Sequence, residues 1–209
     1  MTRKSVTFFA ALFLMAAMTA CFTGTKNEKS DNEKEVFVLS DSLINLYREQ
    51  GRFIVKSSFQ ALSTQLTGAI QTGGVPYAVS FCNIEAVPIM DSMTAEFNVN
   101  IKRVSEKNRN PENSPDAFEQ MILDLFDQNL KNSGKVNDTV LLDANNTLVY
   151  AAPILMAQPC LQCHGVIGTD ISDKNNSIIK KLYPADKASG FAQGDLRGIW
   201  RIRFEQIEN

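Results

Sequence analysis

Thr139-Val140-Leu141-Leu142-Asp143-Ala144-Asn145-Asn146-Thr147-Leu148-Val149-Tyr150-Ala151-Ala152-Pro153-Ile154-Leu155-Met156 reads as two strand-like runs, 139–143 and 147–156, joined at Asn145-Asn146. Asn tolerates the backbone of a tight turn, so a β-hairpin is predicted. Pro153 has no N–H to offer a ladder, which places the second strand at an edge or a bulge. Downstream, Trp200, Ile202 and Phe204 alternate with Arg201, Arg203 and Glu205 in a closing strand, 199–207. Upstream, Phe97, Val99 and Ile101 alternate with Asn98, Asn100 and Lys102, and Asn108-Arg109-Asn110-Pro111 breaks that strand.

Helices precede and interrupt these strands. Val36, Leu39, Leu43 and Leu46, then Val55, Phe59, Leu62, Leu66 and Ile70, recur at spacings of three and four, one face of a long amphipathic helix. Gly51 is expected to bend or interrupt it, and Gly73-Gly74 to end it. A second helix follows over 75–93, with Pro76 in its first turn, Pro88 as a predicted kink, and Val75, Val79, Cys82, Ala86 and Ile89 along its apolar stripe. Another begins at Ser114 or Pro115 and runs through Phe118, Ile122, Leu125 and Leu130. The segment 158–195 is read as a loop. Helices first and antiparallel strands after make an α+β domain.

At 209 residues, 44% hydrophobic and 21% charged, the chain is long enough and apolar enough for one core. Its 21 basic and 23 acidic side chains leave a net −2 and form no long runs, which excludes nucleic acid as a partner. A single His and four Cys exclude His-rich metal sites and a disulfide scaffold.

Arg3 and Lys4 followed by an uncharged run, 6–20, have the layout of a secretory signal, too short at about 15 residues for a comfortable membrane span. Met18-Thr19-Ala20-Cys21 resembles a bacterial lipobox, with Cys21 as the lipidated residue. Residues 1–20 are therefore read as a lipoprotein signal peptide, 21–34 as a flexible polar tether, and 35–209 as the folded domain. This implies an exported protein of the bacterial cell envelope, held to a membrane by its N-terminal lipid and facing the periplasm or the exterior.

Chemistry concentrates at Cys160-Leu161-Gln162-Cys163-His164, the C-x-x-C-H spacing of c-type haem attachment. Two thiols three positions apart can form thioethers to one porphyrin while the next imidazole reaches the iron. With so few Cys and one His, chance gives roughly 0.0003 such matches in the chain, so coincidence is a poor explanation. A thioredoxin-like pair wants a βαβ setting that is missing here, and a zinc site wants four ligands. One covalent haem c is the expected cofactor, with His164 as proximal ligand.

The second axial position stays open on these grounds. Met90, Met93, Met121, Met156, a Lys, Cys82, water or nothing could fill it. Cys82 is the one thiol committed neither to lipid nor to haem, and the plain reading of such a residue is a small buried hydrophobe.

Ala78-Val79-Ser80-Phe81-Cys82-Asn83-Ile84-Glu85-Ala86 resembles the helix that supplies an axial thiolate in PAS-like c-type haem domains, found as stand-alone exported proteins and as sensor modules. Arg103-Val104-Ser105, Arg109-Asn110-Pro111-Glu112-Asn113, Pro115-Asp116, 160–165, and Tyr183-Pro184-Ala185-Asp186 with Ala188, Gly190, Gly194, Asp195, Arg197 and Gly198 are similar to that family's signatures in its order, spanning roughly 36–207. The resemblance implies a single domain with a PAS-like antiparallel sheet flanked by N-terminal helices, His164 as proximal ligand and Cys82 as distal ligand. Ser80-Phe81, where an acidic or aliphatic residue is expected, and the lipobox depart from the pattern without touching a ligand.

Arg103 and Arg109 are candidates for the haem propionates, since guanidinium matches carboxylate; for Arg109 a plain surface charge competes. Tyr183, Trp200 and Phe204 are candidate haem walls, or plain core. A thiolate ligand lowers the reduction potential, so low-potential electron transfer or redox or gas sensing is expected, with an unidentified redox or signalling partner. The other function class is a haem enzyme, a peroxidase or sulfur oxidiser working at the Cys82 face. A weaker third is haem as a structural staple.

Overall fold

The computed structural model describes residues 39–204, which all belong to one compact unit. The signal, lipobox and tether, with Cys21 and the Val36 start of the first helix, lie outside the described residues, as do Glu205 and Ile207. The elements are α1 (Asp41–Phe97), β1 (Val99–Val104), α2 (Ala117–Ser133), β2 (Thr139–Leu142), β3 (Leu148–Leu155), α3 (Leu161–His164), α4 (Asp173–Leu182) and β4 (Leu196–Phe204).

The helix α1 is two helices in one. Ser40 caps its start by accepting from the Leu43 N–H at 3.3 Å. Helical backbone is lost only at Gly73 and at Gly74, whose φ of 65° lies where glycine has no Cβ penalty. Phe53 and Phe97 meet edge to face with ring centres 5.9 Å apart. In an unbroken helix the 44 positions that separate them would span about 66 Å, so the two arms, 41–72 and 75–97, fold back on each other as a hairpin. The expected kink at Pro88 does not form a break, since backbone angles stay helical there.

Phe97 closes α1 rather than opening the strand. Asn98 takes the left-handed cap, φ 51°, and its N–H bonds to the Thr94 carbonyl, so the alternating run starts at Val99. Gly51 does not bend α1 either. A Cβ on it would fall 2.2 Å from a ring carbon of Tyr150, so the glycine makes room for that buried ring. Gly51→Ala should lower stability by about 1–3 kcal/mol in urea unfolding, overpacking outweighing the gain of about 1 kcal/mol in helix propensity.

The four strands are antiparallel in the order β1-β4-β3-β2. Asp143 shapes the β2–β3 turn, its Oδ1 accepting from the Asn145 and Thr147 N–H groups at 2.9 and 3.0 Å, while Asn146 takes φ 59°. Pro153 pairs with Ile199 of β4, beyond Ala151 where the β2 ladder ends and next to a register shift at Ile154/Leu155. It thus sits on a stretch flanked on one side only, in an otherwise interior strand.

Both sheet faces are covered. Ile54, Leu62 and Met90 of α1 pack with Ile101, Tyr150, Trp200 and Ile202, whereas Ile122, Leu123 and Phe126 of α2 pack with Val104, Ala151 and Ile199. Each such side chain, fully buried, contributes about 1.5–3 kcal/mol. This is the expected α+β, PAS-like single domain. Arg201, read as the polar side of β4, is buried because α2 covers that face. The segment 158–195 is more ordered than a loop, holding a 3₁₀ turn (Gln158–Cys160), α3 and α4.

Candidate functional site

The 3₁₀ turn and α3 wind Cys160, Cys163 and His164 into successive helical turns, placing positions i, i+3 and i+4 on one side. Pro159 starts the turn, where its missing N–H costs nothing. Cys160 is exposed and Cys163 half-buried, and the three described cysteines are free thiols.

His164 is oriented through Nδ1, 2.8 Å from the Ala188 carbonyl. Burial holds the imidazole well below its usual pKa, and Arg109 and Arg197 push the same way, so the ring is neutral at pH 7. A carbonyl only accepts, so Nδ1 carries the proton and Nε2 keeps its lone pair for a metal.

Cys163 packs with Val79, Ile171 and Ile179, and with Val75, Leu182 and Tyr183 around them. Val79 lies one turn from Cys82 on α1, which brings the Cys82 thiol toward the motif. Burial raises the Cys82 thiol pKa, with Arg103 and Arg109 opposing; burial raises Cys163 too, with Arg109 opposing and Cys82 close enough to add to the rise.

Three guanidinium groups surround these donors. Arg103 is held below its usual pKa by burial; its guanidinium carbon lies 5.8 Å from the Trp200 ring centre, and it makes no ion pair with any described carboxylate. Burial, then Arg109 and Arg103, push Arg197 down to about 10. Its Nη1 donates to Ser105 Oγ at 2.8 Å and to the Lys107 carbonyl at 2.9 Å. Arg109 is committed to the protein itself: Nε donates to Asp186 Oδ1 at 3.1 Å and Nη2 to the Cys163 carbonyl at 2.6 Å. Asp186 is therefore the one carboxylate paired within this trio.

Such a cluster fits a dianionic, largely apolar prosthetic group. Neutral nitrogen and sulfur donors converge with two arginines, Arg103 and Arg197, that form no ion pair with a described carboxylate. Of the residues singled out in the sequence, Cys82, Arg103, Arg109, Cys160, Cys163, His164 and Tyr183 come together here. Phe204 does not, standing at the other end of β4 against Tyr47, ring centres 4.7 Å apart. Met90 lies in the core beneath the sheet, Met121 is exposed, and Met156 packs with Leu161 and Phe191. Arg197 was legible only as part of a signature, and the Ala188 carbonyl left no side-chain signal at all.

Among curated proteins none matches the chain. Its fold is similar to that of the cyanobacterial heme-protein Tll0287, with 24% identity, 77% of this chain and 97% of that chain covered, and a TM-score of 0.54. The model of the Tll0287-like family matches residues 14–204. With nearly its whole length matched and the C-x-x-C-H turn set in the sheet-and-helix frame just described, the chain belongs to the Tll0287-like family.

Proposed function

We propose that this chain is an exported, lipid-anchored c-type haem protein of the bacterial cell envelope, acting in low-potential electron transfer. Cys160 and Cys163 attach the haem, and His164 and Cys82 are its axial ligands. The observation that carries the reading is one neutral imidazole with a free Nε2, in a cluster with the half-buried Cys82 sulfur and two arginines that form no ion pair with a described carboxylate. Haem, when bound, supplies a one-electron couple.

The chain's own residues do the rest. The Ala188 carbonyl fixes the His164 ring and strengthens it as a donor. Arg103 and Arg197 offset the propionate charge. Arg109 pins the motif turn through the Cys163 carbonyl, leaving Nη1 for any propionate contact. Val75, Val79, Ile171 and Ile179 keep water from the sulfur side. An anionic sulfur donor favours the more highly charged metal and so lowers the potential.

Redox or gas sensing is the second reading, favoured by the position of Cys82 on an arm joined to its partner through Gly73-Gly74. The test is the absorption and low-temperature EPR of the ferric protein, wild type against Cys82→Ala. The expected outcome is a low-spin thiolate signature lost in the variant, with the potential rising by about 0.1 V or more, within the roughly 0.8 V that axial ligands span. An unchanged signature would remove Cys82 as ligand. Turnover of peroxide or thiosulfate at enzyme-like rates would favour a peroxidase or sulfur oxidiser instead.

A further inference from the structure

The segment 186–191, which has no regular secondary structure, grips the C-x-x-C-H turn at three points. The Phe191 N–H donates to the His164 carbonyl at 3.0 Å, the Gly190 N–H to the Gly165 carbonyl at 2.8 Å, and the Ala188 carbonyl stands 2.8 Å from His164 Nδ1. All three use backbone atoms of the segment, so its own anchors decide where they point. The Lys187 N–H donates to the Asn108 carbonyl at 3.0 Å, and Asp186 Oδ1 accepts from the Ala188 N–H at 2.9 Å and from Arg109 Nε at 3.1 Å.

These two bonds to one carboxylate oxygen have different needs. The bond from Ala188 closes a side-chain turn, for which any acceptor oxygen suffices, that of an Asn amide included. The bond from Arg109 is where the negative charge acts. Arg109 Nη2 donates to the Cys163 carbonyl at 2.6 Å and also reaches the Ala188 carbonyl at 3.4 Å. One oxygen thus serves both the imidazole and a cation. A carbonyl drawn toward a cation is a poorer acceptor for its second donor, and with the Arg109 and Asp186 side chains 13% and 8% exposed, water screens little of that competition.

We infer that Asp186 is a positioning residue for the proximal ligand: its carboxylate holds the Arg109 guanidinium and offsets its charge, which keeps the Ala188 carbonyl for His164 Nδ1 and sets how strongly the imidazole donates to iron. This rests on the haem reading above. A stronger Nδ1–H bond makes the ring more basic, and a more basic ring favours the ferric state. Asp186 therefore holds the potential down from the His164 side, as the Cys82 sulfur does from the other. Asp170, nearer to the motif in sequence, has a different task, since its Oδ2 accepts from the Val166 N–H at 2.8 Å in the turn that follows.

The test is a spectroelectrochemical titration of the haem-loaded full chain, with each variant's fold checked by circular dichroism. At the wild-type midpoint, Asp186→Asn, which keeps an oxygen for Ala188 but no charge, should raise the Fe(II):Fe(III) ratio about tenfold, or about 59 mV for one electron. Asp186→Glu, with its charge retained, should stay within about threefold of wild type. Arg109→Gln alone, which leaves position 186 untouched, should lower the ratio at least about threefold, and adding Asp186→Asn to it should then change the ratio less than about twofold, because the cation it governs is gone. Exchange of the His164 Nδ1 proton with solvent, followed by NMR, should quicken in Asp186→Asn. A ratio within about twofold of wild type in Asp186→Asn or in Arg109→Gln, a rise in Asp186→Glu as large as that in Asp186→Asn, or an equal rise from Asp186→Asn with and without Arg109 would overturn the inference while leaving His164 ligation standing. A wild-type spectrum that His164→Ala does not change would take away the haem reading, and the inference with it.

Discussion

Full-chain protein carrying Cys160→Ser and Cys163→Ser together is expected to lose essentially all the pigment that survives extraction into acidified organic solvent. Each single variant, with one of the two thiols on that turn left, should keep part of it. A serine hydroxyl has nearly the size of a thiol but not its nucleophilicity, so the fold around the turn should persist while the covalent link does not. His164→Ala separates attachment from ligation, since it should retain the covalent pigment and change its spectrum. Stability reads the same link independently. A group held at about one hundred times its dissociation constant adds about 2.7 kcal/mol to the folded state, and covalent attachment keeps the local concentration high, so the double variant should also melt earlier. Retention of acid-stable pigment in the double variant, or a colourless wild type from maturation-competent cells, would sink the assignment.

Glu119→Ala should be the most damaging single change to the fold. The Glu119 side chain is 1% exposed, and its Oε1 accepts from Arg201 Nε at 2.9 Å, while Oε2 accepts from the Asp116 N–H at 3.0 Å in the capping box of α2. Removing it strands the buried Arg201 guanidinium, whose other bonds run to the Asn100 carbonyl and side chain, and takes away one half of the capping box, although Asp116 Oδ1 still accepts from the backbone N–H of position 119. Breaking a buried pair from one side costs about 3–5 kcal/mol, a large share of the roughly 5–15 kcal/mol that holds a domain together. Replacing both partners, Glu119→Leu with Arg201→Met, should recover most of that loss, because desolvation offsets much of what the pair gains, and leave a cost of about 1 kcal/mol for the Asp116 N–H and Lys102 Nζ that also bond Glu119 Oε2. Urea unfolding followed by circular dichroism measures all three chains. A loss under about 1 kcal/mol for Glu119→Ala would mean that Arg201 finds another partner.

How far the sequence carried can be judged from particular residues. The turn at Asn145-Asn146, the start of α2 near Asp116 and the C-x-x-C-H turn are local features, and local chemistry wrote them plainly. Gly51 misled because its reason lies in Tyr150, 99 positions away. Arg201 looked solvated because strand alternation cannot reveal that a helix covers the second face. The helix α4 went unread although Ser172 caps it and Lys180 and Lys181 suit its last turn, because Lys174, Asn175 and Asn176 dilute the apolar period. In the site, the ligand candidates were legible and their supports were not. The Ala188 carbonyl is backbone, and Arg197 matters only because β4 returns it to the motif.

The position of β4 bears on how such a molecule is made. The last strand in the sequence lies between β1 and β3, in the middle of the sheet. As synthesis or translocation delivers the chain from its first residue onward, β1 and the β2–β3 pair must wait with open edges until residues 196–204 arrive. The thiols at 160 and 163 emerge earlier than that final strand. On the proposed covalent attachment, a prosthetic group coupled to them before residues 196–204 pair would be locked in place by insertion of the final strand.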